Sequence, residues 1–241
     1  MKKIVAICLT AFMVVASQAQ ETKTVVNDPN AQVRSVIAFK GVQVSGGMAL
    51  YISQGNTDAV AVSCDDVKNM DKIITEVVNG ILKIYVSQGA WNGWNWKSKN
   101  IKAYVTVKNL ESLDVSGACA VKITDAITSA NLKLHVSGAS AVKGEVKVGT
   151  LKFHGSGASA VTLSGKADNA KIEVSGASVV KAFDLSINNC TAEVSGASNL
   201  SVTALKELDA EASGASNLRY KGQPVVKSAD ATGASSIKKV D

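Results

Sequence analysis

Apolar and polar residues alternate along residues 113–238 in a pattern that repeats about every 19 residues. Alternation with a period of two is typical of strands, and a short fixed repeat with strand-like flanks indicates a β-solenoid. Each repeat contains the tetrad Ser-Gly-Ala-Ser or a close variant, and the copies begin at Ser116, Ser137, Ser156, Ser175, Ser195, Ser213 and Thr232. We therefore predict an all-β fold in which successive repeats stack as coils.

Aligning the copies on the first residue of the tetrad gives three columns without polar side chains. These columns lie three residues before it, one before it and five after it, as in Leu134, Val136 and Val142. Side-chain volumes in two of these columns compensate each other. Phe153 is the largest residue of its column, and the residue two positions later, in the next column, is Gly155. Packed interiors have a nearly constant density, so this exchange indicates one core shared by the coils.

The tetrad itself predicts a turn. Gly at its second position allows a positive φ and leaves no Cβ to collide with the adjacent coil. Alternation through the turn places the fourth residue inside, and this residue is Ser in all copies except the first, which has Cys119. Small hydroxyls in a narrow corner can hydrogen-bond to neighbouring coils. Cys190 aligns with apolar residues of other copies, so both cysteines are predicted to lie in the core.

The handedness and length of the solenoid follow from general rules for parallel strands. Parallel crossovers are nearly always right-handed, so we expect a right-handed single-stranded parallel β-helix. With about 4.8 Å between coils, the repeats would extend for about 29 Å.

Residues 38–112 are also rich in strand patterns but are less regular. Residues 42–47 look like an early, degenerate repeat, and residues 77–86 predict two strands joined by a turn at Asn79 and Gly80. A short helical turn is predicted within residues 65–76. We expect this half to extend the solenoid and also to cap it, because an uncovered end would expose unpaired strand edges.

The beginning of the chain has the features of an export signal. Lys2 and Lys3 precede an apolar run, and residues 17–19 form a small-x-small cleavage site. The apolar run is too short to span a bilayer as a permanent helix. We therefore predict a signal peptide at 1–19, an N-terminal extension at 20–37 and a single β-helix domain at 38–241, with an irregular capping half at 38–112 and a regular repeat half at 113–238.

Three segments resemble the auto-transporter adhesin head GIN domain family, which consists of exported bacterial proteins of undefined function. They are residues 44–55, residues 79–84 and the tetrad ladder. The resemblance as a whole extends over roughly residues 38–236. Of the Gly-Ile-Asn that names the family, only Gly47 is kept. The resemblance implies a right-handed β-helix similar to pectate-lyase-like folds and an adhesive role, and it supplies no catalytic residues.

Composition excludes several classes of function. The formal net charge of +6 comes without a basic cluster, which argues against nucleic-acid binding. Cys64, Cys119 and Cys190 are too widely spaced for a disulfide framework or a typical zinc motif. No nucleotide-binding, metalloprotease or nucleophile motif occurs, so we expect no cofactor and no enzymatic activity. The oligomeric state is left open.

The column two residues before the tetrad is ionisable in every copy. Stacking would bring His135 and His154 together with Glu173, which suggests a divalent-metal or acid–base site. The alternative is an outward column of solvated polar side chains. The full column consists of Asp114, His135, His154, Glu173, Glu193, Glu211 and Asp230.

A second column, six residues after the start of the tetrad, is largely basic. It predicts either a groove for an anionic glycan or ordinary surface charge that keeps the strands soluble. Its members are Lys122, Lys143, Thr162, Lys181, Ser201, Arg219 and Lys238.

All three tryptophans, Trp91, Trp94 and Trp96, lie in one Gly- and Asn-rich insertion. Exposed indole rings can stack on sugars or on a partner, although they could instead cover the end of the rod. We predict an exported, non-enzymatic adhesin of the cell surface or envelope that recognises a glycan or an envelope protein. The alternatives are a polysaccharide-active enzyme on a β-helix and a structural envelope protein that assembles with itself. The export signal leaves the periplasm, the outer-membrane surface and secretion as possible locations.

Overall fold

The structure, a computed structural model, describes residues 28–87 and 100–241. Of these residues, 64% are in strands and 3% in helix. Parallel strands about 19 residues apart stack into a β-solenoid of about seven turns, as the tetrad period predicts. The signal peptide predicted at 1–19 lies outside the described residues, as do residues 20–27 of the predicted extension.

Strands β1–β9 build the less regular half and the first copy of the repeat. They are β1 Gln32–Arg34, β2 Gly41–Val44, β3 Ala49–Gln54, β4 Ala59–Ser63, β5 Ile73–Val78, β6 Ile81–Val86, β7 Lys102–Val107, β8 Ser112–Val115 and β9 Ala120–Ile123. A 3₁₀ helix, Val67–Lys72, separates β4 from β5 and confirms the predicted helical turn. Strands β5 and β6 pair in antiparallel fashion around Asn79 and Gly80, as predicted.

The remaining strands form the regular half. They are β10 Ile127–Val136, β11 Ala141–Gly155, β12 Ala160–Val174, β13 Val179–Val194, β14 Asn199–Ala212, β15 Asn217–Lys221, β16 Val225–Ala231 and β17 Ser236–Lys239. Strands β11–β14 are long because each continues from one tetrad to the next, paired with the neighbouring coil over most of this length.

The core runs without interruption through the described coils. Leu134, Phe153 and Ile172 are in register and nearly fully buried, which confirms the predicted column. A Cβ placed on Gly155 would lie 2.9 Å from Cζ of Phe153, so the two residues do share one volume. Cys190 is buried at 3% exposure, and this burial raises the pKa of its thiol to about 12.

The N-terminal half caps the solenoid by an arrangement in which spatial order differs from chain order. Strands β2 and β3 form an inner coil, between the outer coil β6–β7 on one side and the coil β8–β9 on the other. Antiparallel β5 pairs with β6, and antiparallel β4 pairs with β7 and carries β1 on its other edge. Strand β1 lies inside the segment predicted as an extension, so that segment contributes to the cap.

The opposite end departs from the predicted burial. Ala229 and Ala231 belong to columns that are buried elsewhere, yet both are exposed, and Val226 is 41% exposed. Strand β16 pairs with β14 and β17 pairs with β15, and no further coil among the described residues stacks on them. Alternation identifies the side of the strand correctly, but burial also requires a coil beyond it.

Candidate binding surfaces

The tetrads form one corner of every coil, and their polar groups are used within the fold. The second-position glycines stack on one another with positive φ, as predicted. The fourth-position serines from Ser140 to Ser216 are buried. Ser198 Oγ donates to the carbonyl oxygen of Gly176 at 3.2 Å, and Ser216 Oγ donates to that of Val194 at 3.1 Å. This corner therefore separates two strand faces and holds them in register.

The face that precedes the corner carries the ionisable column, which we call the acidic column. The predicted stacking is confirmed, because His135 pairs in register with Asp114 and His154, and His154 pairs with Glu173. His135 Nδ1 lies 3.3 Å from Asp114 Oδ2, and His154 Nδ1 lies 3.3 Å from Glu173 Oε2. The two imidazole rings are 5.1 Å apart between centroids.

These pairs do not form a metal-binding cluster. His135, His154 and Glu173 follow one another along the solenoid, and each imidazole contacts its own carboxylate. Within the two described stretches of chain, no group of three or more His, Cys, Asp or Glu side chains is placed to hold a metal ion. The metal hypothesis therefore gains no support from the arrangement of these three residues.

A groove of about 470 Å³ lies between the acidic column and the corner. Carboxylates line one side of it, at Glu173, Glu193, Glu211 and Asp230, and hydroxyls line the other, at Ser175, Ser195, Ser213 and Thr232. Strand register repeats each pair once per coil, at about 4.8 Å. The groove therefore presents a ladder of acceptors and hydroxyls along the axis of the solenoid.

Glu173 is the most strongly connected carboxylate of this groove. Lys171 Nζ lies 2.6 Å from Glu173 Oε1 and 3.4 Å from Glu193 Oε1. The ammonium of Lys171, with a smaller contribution from His154, holds the pKa of the Glu173 carboxyl below its ordinary value. The contacts of Lys171 with Glu173 and Glu193 raise the pKa of Lys171.

Replacing Lys171 with Gln is expected to raise the pKa of Glu173 towards the ordinary value for Glu, because the largest stabilising contact of its charged form is removed. Carboxyl-detected NMR titration of Glu173 measures this change directly. Lys152→Gln, one coil away in the same outward column, is the matched control and should leave the titration unchanged. An unaltered Glu173 titration in Lys171→Gln would show that the ion pair does not persist in solution.

The face that follows the corner carries a column of opposite charge. Register places Lys122, Lys143, Lys181, Arg219 and Lys238 in line, and we call these five cations the basic column. Thr162 and Ser201 occupy the two intervening coils. An apolar-floored groove of about 350 Å³ lies at one end of this column.

Two tyrosines extend the basic column towards the N-terminal cap. Tyr51 is in register with Lys122 and with Tyr104. The two rings stack with centroids 5.3 Å apart and planes 16° apart. Tyr104 Oη donates to Asp28 Oδ2 at 2.8 Å, and burial together with this bond raises the pKa of Tyr104 to about 12. Tyr51 follows Ser45 of the degenerate repeat by the same six positions that separate Lys122 from Ser116, and this spacing is the sequence signal for Tyr51 that columns starting at Ser116 do not contain.

Trp91, Trp94 and Trp96 lie outside the described residues. The chain that contains them connects Ser87, after β6, to Asn100, before β7. In the next coil, residues 45–48 make the corresponding connection between β2 and β3. Strands β6 and β7 therefore correspond to β2 and β3, and they belong to the outermost parallel coil at the capped end.

Fold and surfaces together define an elongated β-solenoid with two open, oppositely charged strand faces. Residues 38–224 match the family described as "Putative auto-transporter adhesin, head GIN domain", and the chain belongs to this family. No curated protein matches the sequence. No helix among residues 28–87 and 100–241 has the length and apolar character needed to cross a bilayer.

Solved structures of similar fold come from species of Bacteroides and Parabacteroides. A "putative adhesin" of Bacteroides fragilis has a TM-score of 0.78 and 21% identity, covering 87% of this chain and 96% of its own. A "putative lipid binding protein" of Parabacteroides distasonis has a TM-score of 0.67 and 21% identity, covering 89% and 98%. A "putative adhesin" of Parabacteroides merdae has a TM-score of 0.67 and 16% identity, covering 88% and 95%. At these identities the likeness concerns the fold.

Proposed function

We propose that this protein is an exported, non-enzymatic binding protein of the cell envelope that recognises a glycan or another envelope component. The observation that carries this proposal is the ladder of like polar side chains along each open face. A ligand built from repeating units can meet the same donors and acceptors at every coil. Weak contacts made at several coils at once then add up to useful avidity.

The chemistry of the tetrad supports binding rather than catalysis. Its buried serines donate to backbone carbonyls, as Ser198 does to Gly176, so their hydroxyls stabilise the stacking of coils. A serine nucleophile would instead need a neighbouring base within hydrogen-bonding distance. Membership of an adhesin family is consistent with the same conclusion.

A polysaccharide-active enzyme is the second candidate, and the His154–Glu173 pair favours it. Both side chains line the groove of about 470 Å³, and an imidazole beside a carboxylate can exchange a proton with a bound substrate. Release of reducing sugar ends from a polysaccharide, lost on His154→Gln, would establish this second candidate. Unchanged polysaccharide after incubation with the protein would leave binding as the function.

The insertion containing Trp91, Trp94 and Trp96 is proposed as a first contact for the ligand. Three aromatic side chains in six positions offer stacking surfaces for sugar rings, and loops carry binding residues more often than regular strands do. In support of this proposal, the strands that flank the insertion in the chain, β6 and β7, lie at the capped end of the solenoid.

A glycan array tests the proposal with the full chain and the W91A/W94A/W96A variant. We expect the unaltered protein to bind at least one class of glycan, and the variant to lose at least about tenfold of its affinity, because aromatic stacking contributes about 1–3 kcal/mol per contact at such sites. Tyr85→Ala, which changes an aromatic residue of β6, should bind as the unaltered protein does. Absence of glycan binding by every form would contradict glycan recognition and favour a protein partner or self-assembly.

A further inference from the structure

The five cations of the basic column have no partners of opposite charge. Every one of its five cations is exposed, and none takes part in an ion pair within the described part of the chain. The outward column beside it, four residues after the start of each tetrad, is uncharged. That neighbouring column contains Ala120, Ala141, Ala160, Val179, Asn199 and Asn217. From Lys122 to Lys238 the two columns together therefore carry five positive charges and no carboxylate.

The face on the other side of the corner is different, because positive groups there contact carboxylates. There Lys171 contacts both Glu173 and Glu193, and His154 contacts Glu173. Lys133 and Lys152 of the same face form no ion pair among the described residues, so the pairing there is partial. The basic column and the column beside it differ from this face in containing no carboxylate at all.

The surface beside the basic column has the shape of a binding groove at one end. Tyr51, Lys122, Lys143 and Thr162 line its charged and polar side, and Ala120 and Ala141 form part of its apolar floor. Tyr51 is held in place by its stack on Tyr104. An apolar floor flanked by an aromatic ring and cations suits the flat, weakly polar face of a sugar ring that carries an acidic substituent.

The spacing of the cations points to a particular arrangement of charge in the ligand. From Lys143 to Arg219, cations alternate with the hydroxyls of Thr162 and Ser201, so charges recur every second coil, at about 9.6 Å. In an extended glycan, successive sugar rings advance by a distance similar to one coil. A polymer with an acidic group on every second sugar would place its charges opposite Lys143, Lys181 and Arg219 and its neutral sugars opposite the two hydroxyls. Lys122 and Lys238 lie one coil beyond the two ends of this alternating stretch.

We infer that the face formed by the basic column and the alanine-rich column beside it binds an acidic polysaccharide whose charge recurs on every second sugar, lying along the axis of the solenoid. This inference rests on the proposed function as a glycan-binding protein and names the class of glycan. The groove at Lys122 and Lys143 holds one end of the polymer, and Lys181, Arg219 and Lys238 hold the remainder.

Two charge-reversal variants with the same net charge test the inference. K122E/K143E alters two adjacent coils of the basic column, and K133E/K152E alters two adjacent coils of the face before the corner. Binding of the full chain to hyaluronan, which carries a carboxylate on every second sugar, and to dextran, which is neutral, is measured by biolayer interferometry at several salt concentrations. Circular dichroism verifies that each variant keeps its strand signal.

The unaltered protein should bind hyaluronan with an affinity that falls steeply as salt rises, because exposed charges are screened. K122E/K143E should weaken this binding at least about tenfold, whereas K133E/K152E should change it less than about threefold. Equal losses in the two variants would overturn the inference, since net charge alone would then control binding. No loss in K122E/K143E would also overturn it, because the glycan would then bind elsewhere.

The remaining outcomes separate this inference from the proposed function. Binding of dextran but not of hyaluronan would overturn the inference and leave glycan recognition intact. Absence of binding to either polymer and to a glycan array would overturn both. Binding to vesicles that contain phosphatidylglycerol, without binding to hyaluronan, would assign the basic column to a membrane surface and so reject a polysaccharide.

Discussion

Replacing Gly196 with Ala is expected to destabilise the solenoid far more than the same replacement at Gly80. Both glycines have positive φ, +71° at Gly196 and +73° at Gly80. A Cβ at Gly196 would lie 2.5 Å from the carbonyl oxygen of Gly176 in the preceding coil, whereas a Cβ at Gly80 would have no atom within 4 Å. The first replacement therefore adds a collision between backbones to the conformational strain, and the second adds the strain alone.

Strain of this kind costs about 1–2 kcal/mol for an L-residue in the left-handed region. The collision at Gly196 cannot be relieved by a side-chain rotation, because the atom opposed to the new methyl group belongs to the backbone of the tetrad turn in the adjacent coil. We expect a total loss of about 4 kcal/mol for Gly196→Ala and about 1 kcal/mol for Gly80→Ala.

Guanidinium denaturation followed by far-UV circular dichroism measures the difference. Because coils of a solenoid interact mainly with their neighbours, unfolding can proceed in more than one step, and the transition of the regular half is the relevant one. Similar midpoints for the two variants would show that adjacent coils can separate at the corner without cost, contrary to the tight stacking of glycines seen in the structure.

Much of the fold could be predicted because the repeat allows each residue to be compared with its equivalents in other coils. A single strand containing Phe153 and Gly155 would reveal little, but six further copies show that both positions face a common interior. The same comparison predicted burial of Cys190, whose register partners are Ala170 and Leu208. Alternation of apolar and polar residues and the residue types of turns are local features, so they can be recognised in the sequence without knowledge of the whole molecule.

The features that could not be predicted depend on which coil lies next to which. Strands β2 and β3 precede β6 and β7 in the chain, yet they lie inside them in the solenoid. No local pattern distinguishes this order from simple sequential stacking. For the same reason, the columns containing Ala229 and Ala231 were predicted to be buried, although no described coil covers them.

The candidate surfaces were predicted in part. Column alignment placed His135, His154 and Glu173 in one line, and the structure confirms their register. It could not show that Lys171, two residues before Glu173, would contact two carboxylates of that line. Such contacts depend on the direction and reach of each side chain in the folded protein, and an alignment of residue types does not specify these.

The exchange of volume between Phe153 and Gly155 gives the second large prediction, which is strong coupling between the two positions. Gly155→Val forces new methyl groups towards the Phe153 ring, since even a Cβ there would lie 2.9 Å from Cζ. We expect a loss of about 3 kcal/mol from this overpacking. Phe153→Leu leaves a cavity beside Gly155 and should cost about 2 kcal/mol.

The double variant F153L/G155V should be within about 1 kcal/mol of the unaltered protein, so the coupling free energy should be about 4 kcal/mol. The physical reason lies in the adjacent coils, where Leu134 with Val136 and Ile172 with Val174 fill the same space with two side chains of intermediate size. Double-mutant cycles from denaturant unfolding measure this coupling. Phe153→Leu combined with Val202→Ala, a buried change three coils away, is the control and should be additive. Additive losses in F153L/G155V would mean that the two residues pack independently, and that the repeat preserves hydrophobicity at each position but not a shared interior volume.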